Sequence, residues 1–162
     1  MNTLFLKTGF NLWPPLLGSG IRVKHISKDY SKITALMKPR WYNRNYKKVH
    51  FGGSLFSMTD PFYVAMLQLI LGKDYIVWDK YSSIKYVSSS KGTAIAHFTV
   101  EDSTLSEIRE KTASGETFLP EFQIEIINQK SELIAIVKKT IYIRKKTTDN
   151  HSKVSTDDKI KA

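Results

Sequence analysis

The sequence predicts an α+β fold in which an antiparallel sheet of about five to six strands wraps around one long central helix. The segment 52–71 is apolar on nearly all sides, and a helix of that kind must be buried. Segments on both sides of it alternate apolar and polar residues, as half-buried strands do. The length of 162 residues and the 41% hydrophobic content suit one domain with its own core.

The first half of the chain carries two predicted strands and the central helix. The strands are predicted over 21–26 and 30–37, with a short polar turn between them. Two prolines keep any helix over 12–18 short or interrupted. A long loop, 40–51, leads to the central helix, which Gly72 closes. Long ordered loops are often functional, so this loop is a candidate part of the site.

Four further strands are predicted after the central helix, over 75–87, 93–101, 118–127 and 133–143. A short helix is predicted over 104–111. Pro120 indicates an edge or a bulge in the third of these strands. We expect one domain over 1–146, followed by a tail, 147–162, that is disordered because it has few apolar residues.

The composition excludes several kinds of site. Cysteine is absent, so the chain has no disulfide, no Cys nucleophile and no thiolate metal site. The four histidines lie far apart without the spacing of metal ligands, and we expect neither a metal nor a cofactor. We expect no membrane span, because no apolar run reaches the necessary length, and no signal peptide, because the first ten residues lack a long apolar centre. The cytoplasm is the simplest location.

Positive charge is concentrated before the central helix. The net charge is +10, and nine Lys or Arg residues stand between Arg22 and Lys48 against one acidic residue, Asp29. One interpretation is a docking surface for the phosphates of coenzyme A or for an acidic carrier protein. The other is a solvated face that keeps a basic protein soluble. Nucleic acid is not predicted as a partner, because no nucleic-acid motif accompanies the charge.

A pair of glycines opens the central helix. Gly52 and Gly53 follow the polar loop directly, and glycine lets a ligand approach the backbone closely. The free N–H groups at a helix start favour negative charge, including that of a developing oxyanion. The alternative interpretation is that both are turn residues. In the loop, Asn43 and Asn45 either hydrogen-bond substrate or water, or support the loop itself.

One carboxylate follows the first glycine at a distance of eight residues. Asp60 is suited to act as a nucleophile or as a base that activates water. Thr59-Asp60-Pro61 also has the pattern of a helix N-cap followed by proline at the first helical position. Proline inside one continuous helix would cost about 3 kcal/mol, so either the helix is kinked at Pro61 or a short turn precedes a second helix. The pattern alone favours the cap.

Five segments together form a specific set of motifs: Asn11-Leu12-Trp13-Pro14-Pro15, Arg40-Trp41-Tyr42-Asn43-Arg44-Asn45, His50-Phe51-Gly52-Gly53-Ser54-Leu55, Asp60-Pro61-Phe62 and Tyr75-Ile76-Val77-Trp78-Asp79-Lys80. With these motifs the chain resembles the hotdog-fold acyl-CoA thioesterases of the phenylacetic-acid-pathway type, and in particular the DUF4442 family. The resemblance covers about residues 11–144. It implies a hotdog fold and hydrolysis of an acyl thioester carried by coenzyme A or by an acyl-carrier protein.

The resemblance also implies roles for residues. Catalysis would rest on Asp60, Gly52, Gly53 and Asn45, with Asp60 as catalyst rather than cap. The acyl chain would lie along the central helix, near Leu55, Phe56, Phe62 and Met66. Substrate binding would involve Asn43, His50, Phe51, Ser54, Arg40, Arg44, Lys47, Lys48, Phe56 and Phe62. The alternative is a module that binds an acyl group or lipid without hydrolysis. A dehydratase is disfavoured, because no His–carboxylate pair is apparent.

The spacing of the glycines and Asp60 predicts that two chains share each site. Eight residues of straight helix rise about 12 Å, whereas an oxyanion donor and an attacking group must each lie about 3 Å from the reacting carbonyl. A two-fold partner would bring its Asp60 to the glycines of the first chain and give two equivalent sites. The resemblance likewise implies homodimers, often assembled further into homotetramers.

Overall fold

The computed structural model describes residues 2–147. Its helices and strands are α1 (Thr3–Leu12), α2 (Pro14–Gly18), β1 (Ile21–Ile26), β2 (Lys32–Met37), α3 (Gly52–Ser57), α4 (Phe62–Leu71), β3 (Tyr75–Tyr86), β4 (Ala94–Thr99), α5 (Asp102–Lys111), β5 (Thr117–Phe118), β6 (Glu121–Ile127) and β7 (Leu133–Lys145). The predicted α+β class is confirmed. Apart from residue 147, the tail predicted to be disordered lies outside the described residues.

One antiparallel sheet contains the seven described strands. Its order is β1-β2-β4-β6-β7-β3, and the short strand β5 pairs with β7. The strand predicted over 118–127 is divided at Pro120 into β5 and β6. Proline has no N–H to donate to a ladder, and here its carbonyl accepts from the N–H of Ile141 at 3.0 Å. Strands β1 and β3 form the two edges of the described sheet.

The segment 52–71 forms two helices, so the prediction of one long central helix is wrong in its continuity. The N–H of Thr59 bonds to the carbonyl of Phe56 at 3.0 Å, and that of Asp60 bonds to the carbonyl of Ser57 at 3.3 Å. These bonds to the third preceding residue form 3₁₀-type turns that end α3. Helix α4 begins after Pro61, which occupies the N-cap position of α4. A short helix followed by a second helix is one of the two geometries that this proline allows.

Helix α4 lies in the core of the domain. Phe62 and Met66 have no exposed surface, and the Phe62 ring lies 5.4 Å from that of Phe10 and 4.8 Å from that of Phe98, between ring centres. By length and composition the run 52–71 could cross a membrane, so the expectation that no apolar run reaches that length was wrong. In this fold the run is broken into two helices, and one face of α4 packs within the domain.

Helix α1 was not predicted. Asn2 caps its start, because its side-chain oxygen accepts from the N–H of Leu4 at 2.9 Å. Its end is fixed to β1 by Asn11, which accepts from the N–H of Val23 at 2.7 Å and donates to the carbonyl of Val23 at 3.2 Å. No residue of α1 is buried, and Leu4 and Leu12 are 68% and 64% exposed. The helix therefore presents an apolar surface outside the core.

Candidate functional site

A cavity of about 350 Å³ lies at the start of α3. The loop 40–51 forms one side and the end of β3 forms the other; we call it the glycine cavity. It is lined by Asn45, Val49, His50, Gly52, Leu55, Tyr86, Val87, Ser88, Ser89, Ser90 and Ile134. Three predicted site residues, Asn45, His50 and Gly52, therefore meet in one place, together with Leu55, which was expected beside the acyl chain.

Each glycine at the start of α3 is closely approached by one exposed aromatic side chain. A Cβ atom on Gly52 would lie 2.8 Å from the Tyr86 hydroxyl, and one on Gly53 would lie 2.5 Å from the Phe51 ring. The first N–H groups of any helix have no partner within the helix, and the Phe51 side chain at the N-cap cannot bond to them. The start of α3 thus presents free N–H groups near the Tyr86 hydroxyl, and such groups favour negative charge.

His50 is buried in the wall of the glycine cavity. Its Nε2 lies 2.7 Å from the carbonyl oxygen of Gly92, and because a carbonyl can only accept, Nε2 is the donor. Within the part of the chain that the structure describes, Nδ1 has no hydrogen-bond partner. The backbone of His50 also bridges to Arg44 across the loop. His50 therefore holds the loop in place and, in its neutral form, leaves one acceptor for a ligand or a water molecule.

Asn43 supports the loop from inside. Its side chain is buried, with Oδ1 accepting from the N–H of Arg40 at 2.6 Å. Its Nδ2 donates to the carbonyls of Ser19 and Lys38 at 3.1 and 2.9 Å. Both ends of the amide are bonded to the chain itself, so the predicted contact of Asn43 with substrate is not supported, and the alternative interpretation of loop support fits the geometry.

Asn45 differs from Asn43 because it lines the glycine cavity. Its Oδ1 accepts from the backbone N–H groups of Lys47 and Val49 at 2.9 and 3.4 Å, which closes a turn in the loop. Within residues 2–147 its Nδ2 group has no such bond, and it can donate to a ligand in the cavity. The predicted catalytic role of Asn45 remains a prediction that this position permits.

Asp60 lies outside the glycine cavity, in the turn between α3 and α4. Its side chain is 63% exposed. The Nζ of Lys139 bonds to the backbone carbonyl oxygen of Asp60 at 2.6 Å and lies 3.4 Å from its Oδ1. The same Nζ lies 2.9 Å from Oδ1 of Asp79. No side chain caps α4, so the interpretation of Asp60 as a helix cap is wrong; its carboxylate is held by a lysine instead.

Lys139 is the central charge of this cluster. Its side chain has no exposed surface, and a buried ammonium group needs compensating charge. Burial raises the pKa of the Asp79 carboxyl above its ordinary value; the hydrogen bond and charge of Lys139 lower it, and the charge of Asp60 raises it again. The three side chains therefore form one charge network, and Asp60 is the member most open to solvent. No group of three His, Asp or Glu within residues 2–147 is arranged to hold a metal ion.

A second cavity, of about 830 Å³, has Asp60 in its wall. Its walls are mostly apolar side chains of α1, α4 and β3, and we call it the α1 cavity. It is lined by Phe5, Leu6, Gly9, Phe10, Leu12, Trp13, Asp60, Pro61, Val64, Ala65, Gln68, Trp78 and Asp79. Its volume lies within the usual range of ligand pockets, about 300–1,000 Å³. Apolar side chains and two carboxylate residues, Asp60 and Asp79, thus line one cavity, and Gly52 and Asp60 line different cavities.

The predicted position of the acyl chain needs correction. Phe62 and Met66 have no exposed surface, so they cannot contact a substrate unless the core opens. Phe56 is half-buried against the core, and the side chain of Ser54 is also buried. The more open face of α4, which carries Ala65, lines the α1 cavity instead. Any acyl chain beside α4 would therefore lie on this outer face.

The four cations predicted to bind phosphates, Arg40, Arg44, Lys47 and Lys48, have exposed side chains. The Nε of Arg44 donates to the carbonyl of Arg40 at 3.1 Å. The ammonium of Lys47 lies 5.8 Å from the ring centre of Tyr46. Arg40 also lines a third cavity, of about 280 Å³. The charge predicted from the sequence is therefore on the surface, where it can attract an anion.

The predicted site lacked three residues that the structure places in it. Lys139 and Asp79 belong to the charge network around Asp60, and Tyr86 lines the glycine cavity. Strand β7 carried a signal for the first, because Lys139 occupies an inward position in the alternating series that includes Val137 and Ile141. A lysine at a buried position demands an anionic partner. Asp79 lies within a segment that the resemblance matched, but no role was assigned to it. Tyr86 gave no signal, because its place beside Gly52 depends on the packing of β3.

The family of the chain follows from its match over residues 2–143 to the model of DUF4442, a domain of unknown function. The protein belongs to the DUF4442 family. The resemblance inferred from the motifs is thus confirmed. The match spans the helices found within residues 2–147 and every residue that lines the glycine cavity and the α1 cavity.

Solved structures are similar to the DUF4442 protein over most of its length. A Pseudomonas aeruginosa protein of unknown function, described as a probable thioesterase, has a TM-score of 0.79 at 12% identity and covers 90% of this chain and 97% of its own. A Haemophilus influenzae thioesterase has a TM-score of 0.67 at 13% identity, with coverages of 90% and 92%. At such identities the likeness shows the fold, and the predicted hotdog fold is confirmed. A comparison with curated proteins gave no match.

Proposed function

We propose that the DUF4442 protein hydrolyses acyl thioesters, carried by coenzyme A or by an acyl-carrier protein, at sites formed between two copies of the chain. The observation that supports this proposal is the separation of two complementary half-sites. Hydrogen-bond donors lie at Gly52 beside Tyr86, at the end of β3, whereas the Asp60 carboxylate lies beside Trp78 and Asp79, near the start of β3.

A second copy would join these half-sites through the edge of the sheet. Strand β3 has twelve residues and pairs on one side with β7, so its other edge is a template for a further strand. Antiparallel pairing of two β3 strands about a two-fold axis at Ser82 would place Trp78 opposite the partner's Tyr86. Each glycine cavity would then adjoin the α1 cavity of the other copy. The smallest active unit is a homodimer, and a homotetramer would contain two such pairs.

The chemistry of the shared site uses groups from both copies. The thioester carbonyl oxygen lies against the first N–H groups of α3, which stabilise the negative charge that develops on it. Asp60 of the other copy takes a proton from the attacking water or attacks the carbonyl carbon itself. Lys139 fixes the turn that carries Asp60. When Asp60 acts as a base, it returns the proton to the sulfur and the carrier leaves as a free thiol. When Asp60 attacks, the carrier leaves as a thiolate, and water then hydrolyses the acyl–Asp60 anhydride and supplies the proton of the thiol. Both routes consume only water, with no metal or cofactor.

The α1 cavity holds the acyl chain in this proposal. Its apolar walls bury methylene groups, each worth about 0.8 kcal/mol. Asp60 stands at the same cavity, so a chain that enters it brings the thioester to the carboxylate. A reaction of this kind belongs to fatty acid metabolism, and the cytoplasm remains the location we propose.

Release of free thiol from acyl-CoAs and acyl-carrier proteins of graded chain length tests the proposed function. The DUF4442 protein should release thiol from at least one of these substrates. Tight acyl binding without release from any of them would instead favour the alternative, a binding module that holds an acyl group without hydrolysis.

Ala65→Phe should shorten the acyl chains that the enzyme accepts. Ala65 lines the α1 cavity, and a phenyl ring there occupies space that a long chain would fill. We expect kcat/KM for long-chain substrates to fall by about tenfold, the loss of roughly two buried methylene groups. Acetyl-CoA serves as the control on the same variant, because its chain does not reach the ring. An equal loss at every chain length would mean that the chain lies elsewhere.

A further inference from the structure

The third cavity combines cations and aromatic rings. It has a volume of about 280 Å³ and is lined by Gly20, Arg22, Leu36, Lys38, Arg40, Trp41 and Tyr42. We call it the basic cavity. Three cations and no acidic residue line it, so its potential favours an anion.

Local structure brings these side chains together. Gly20 has a φ angle of +73°, and a Cβ atom there would lie 2.7 Å from Nδ2 of Asn43 and 3.3 Å from the Tyr42 ring. The Asn43 amide bonds to carbonyls of Ser19 and Lys38, which ties the loop to the open end of the β1–β2 hairpin. The cavity is therefore built into the fold by a glycine and a buried amide.

The aromatic wall of the basic cavity leaves one ring open. Trp41 and Tyr42 pack edge to face, with ring centres 5.5 Å apart and planes at 90°. Trp41 is nonetheless 83% exposed. A tryptophan held by its neighbour but uncovered is a stacking platform for a flat aromatic ligand, and purine bases stack on such rings.

The cations stand where the phosphates of such a ligand would lie. Arg22 is fixed by a hydrogen bond from its Nη1 to the carbonyl of Asn11 at 2.8 Å, and its remaining guanidinium N–H groups are free to donate within the described chain. Lys38 and Arg40 have exposed side chains. Guanidinium and ammonium groups bind phosphate through short, charge-assisted hydrogen bonds.

We propose that the basic cavity binds the adenosine 3′,5′-bisphosphate end of coenzyme A, with the purine on Trp41 and the phosphates at Arg22, Lys38 and Arg40. This inference rests on the proposed function and deepens it, because it makes acyl-CoA the substrate rather than an acyl-carrier protein. The volume of the cavity is close to the lower limit of small-molecule pockets, about 300 Å³. It therefore suits a nucleotide alone and has no room for the acyl chain in addition. Residues 42–49 connect it to the glycine cavity. The backbone bridge between Arg44 and His50 folds this loop back on itself, so its two ends lie closer than the roughly 25 Å that the segment would span if extended.

Binding of adenosine 3′,5′-bisphosphate to the full chain, measured by calorimetry, tests the site without any turnover. Lys38→Gln/Arg40→Gln should weaken binding by about tenfold or more, because hydrogen bonds to charged groups are lost. Trp41→Ala should weaken it by about tenfold through lost stacking. Lys28→Gln/Lys32→Gln removes the same charge at the other end of the same hairpin, and Tyr46→Ala removes an equally exposed ring that does not line the cavity. Both controls should bind like the wild type.

The kinetic arm separates this inference from the proposed function. With acyl-CoA, the variants of the basic cavity should raise KM with little change in kcat, because nucleotide contacts do not change during the reaction. With acyl-pantetheine, which has no nucleotide, the same variants should behave like the wild type. Bisphosphate binding without hydrolysis of any thioester would preserve the site and overturn the proposed function. Hydrolysis without bisphosphate binding, and with acyl-pantetheine cleaved as well as acyl-CoA, would overturn the nucleotide site alone.

Discussion

Asp60→Asn lowers the rate of thioester hydrolysis by about 10²–10⁴-fold, the usual contribution of a positioned general base. Asparagine has the shape of aspartate and can still accept a hydrogen bond from Lys139, but it cannot take a proton or attack a carbonyl carbon. The Asp60 side chain is 63% exposed, so the variant should remain folded. Thiol release gives the rate, and thermal melting shows that the loss is not one of stability.

The matched control for this prediction is Asp74→Asn. Asp74 is an exposed aspartate in the turn after α4, and it lines neither the glycine cavity nor the α1 cavity. It should retain the turnover of the wild type. If Asp60→Asn also retains it, Asp60 is not the catalyst.

Lys139→Met destabilises the fold by about 2–3 kcal/mol at neutral pH. Removal of one member of a buried ion pair costs about 3–5 kcal/mol when the remaining charge is fully buried. Asp79 keeps 29% exposure, and solvent screening reduces the cost. Methionine replaces the apolar stem of the lysine, so the loss reports mainly on charge. Denaturant unfolding measures the difference, and the melting temperature should fall by roughly 5–10 °C.

The loss in Lys139→Met should depend on pH in a defined direction. Burial raises the pKa of the Asp79 carboxyl above 3.8, and removal of Lys139 takes away the two interactions that lower it. An acid with a higher pKa in the folded state binds more protons when folded. The protonated Asp79 carboxyl therefore contributes to the stability of the fold at low pH, and this contribution is lost as pH rises through the pKa of Asp79 in the folded state. The difference from the wild type should therefore be smallest in acid and grow toward neutral pH.

A double variant, Lys139→Met/Asp79→Asn, separates charge from packing. It removes the carboxylate that the single variant leaves without a counter-charge, and it should recover most of the lost stability. A double variant as unstable as Lys139→Met at every pH would show that the packing of the lysine stem, and not its charge, stabilises this turn.

The strands could be predicted because their burial alternates. Ile33, Ala35 and Met37 of β2 are all buried, as the apolar pattern indicated. The break between α3 and α4 was signalled locally by Thr59-Asp60-Pro61, where two polar residues and a proline interrupt the apolar run. Helix α1 was missed because it buries no residue completely. Only Leu6 and Phe10 pack partly against the core, and the other apolar side chains of the helix are exposed.

The site was predictable only where it is local in sequence. Asn45, His50 and Gly52 lie within one loop and one helix start, and they meet in one cavity. The contact between Asp60 and Lys139 joins residues 79 positions apart, so it depends on the packing of the turn against the sheet, which no local pattern encodes. The position of the acyl chain was misjudged because α4 is apolar both toward the core and toward the α1 cavity. Amino-acid composition does not distinguish a helix face that packs against other side chains from a helix face that lines an open cavity.

The shared site is tested most directly by mixing two inactive variants, Gly52→Val and Asp60→Asn. A Cβ atom at Gly52 would lie 2.8 Å from the Tyr86 hydroxyl, so valine should block the glycine half-site. In a mixed dimer, the Asp60→Asn chain supplies the intact glycines and the Gly52→Val chain supplies the intact carboxylate. Random exchange of equal amounts should restore about a quarter of the wild-type activity, because half of the dimers are mixed and each has one of two sites intact. Activity that stays absent after subunit exchange has been demonstrated by mass spectrometry, or full activity of a strict monomer, would contradict the shared site.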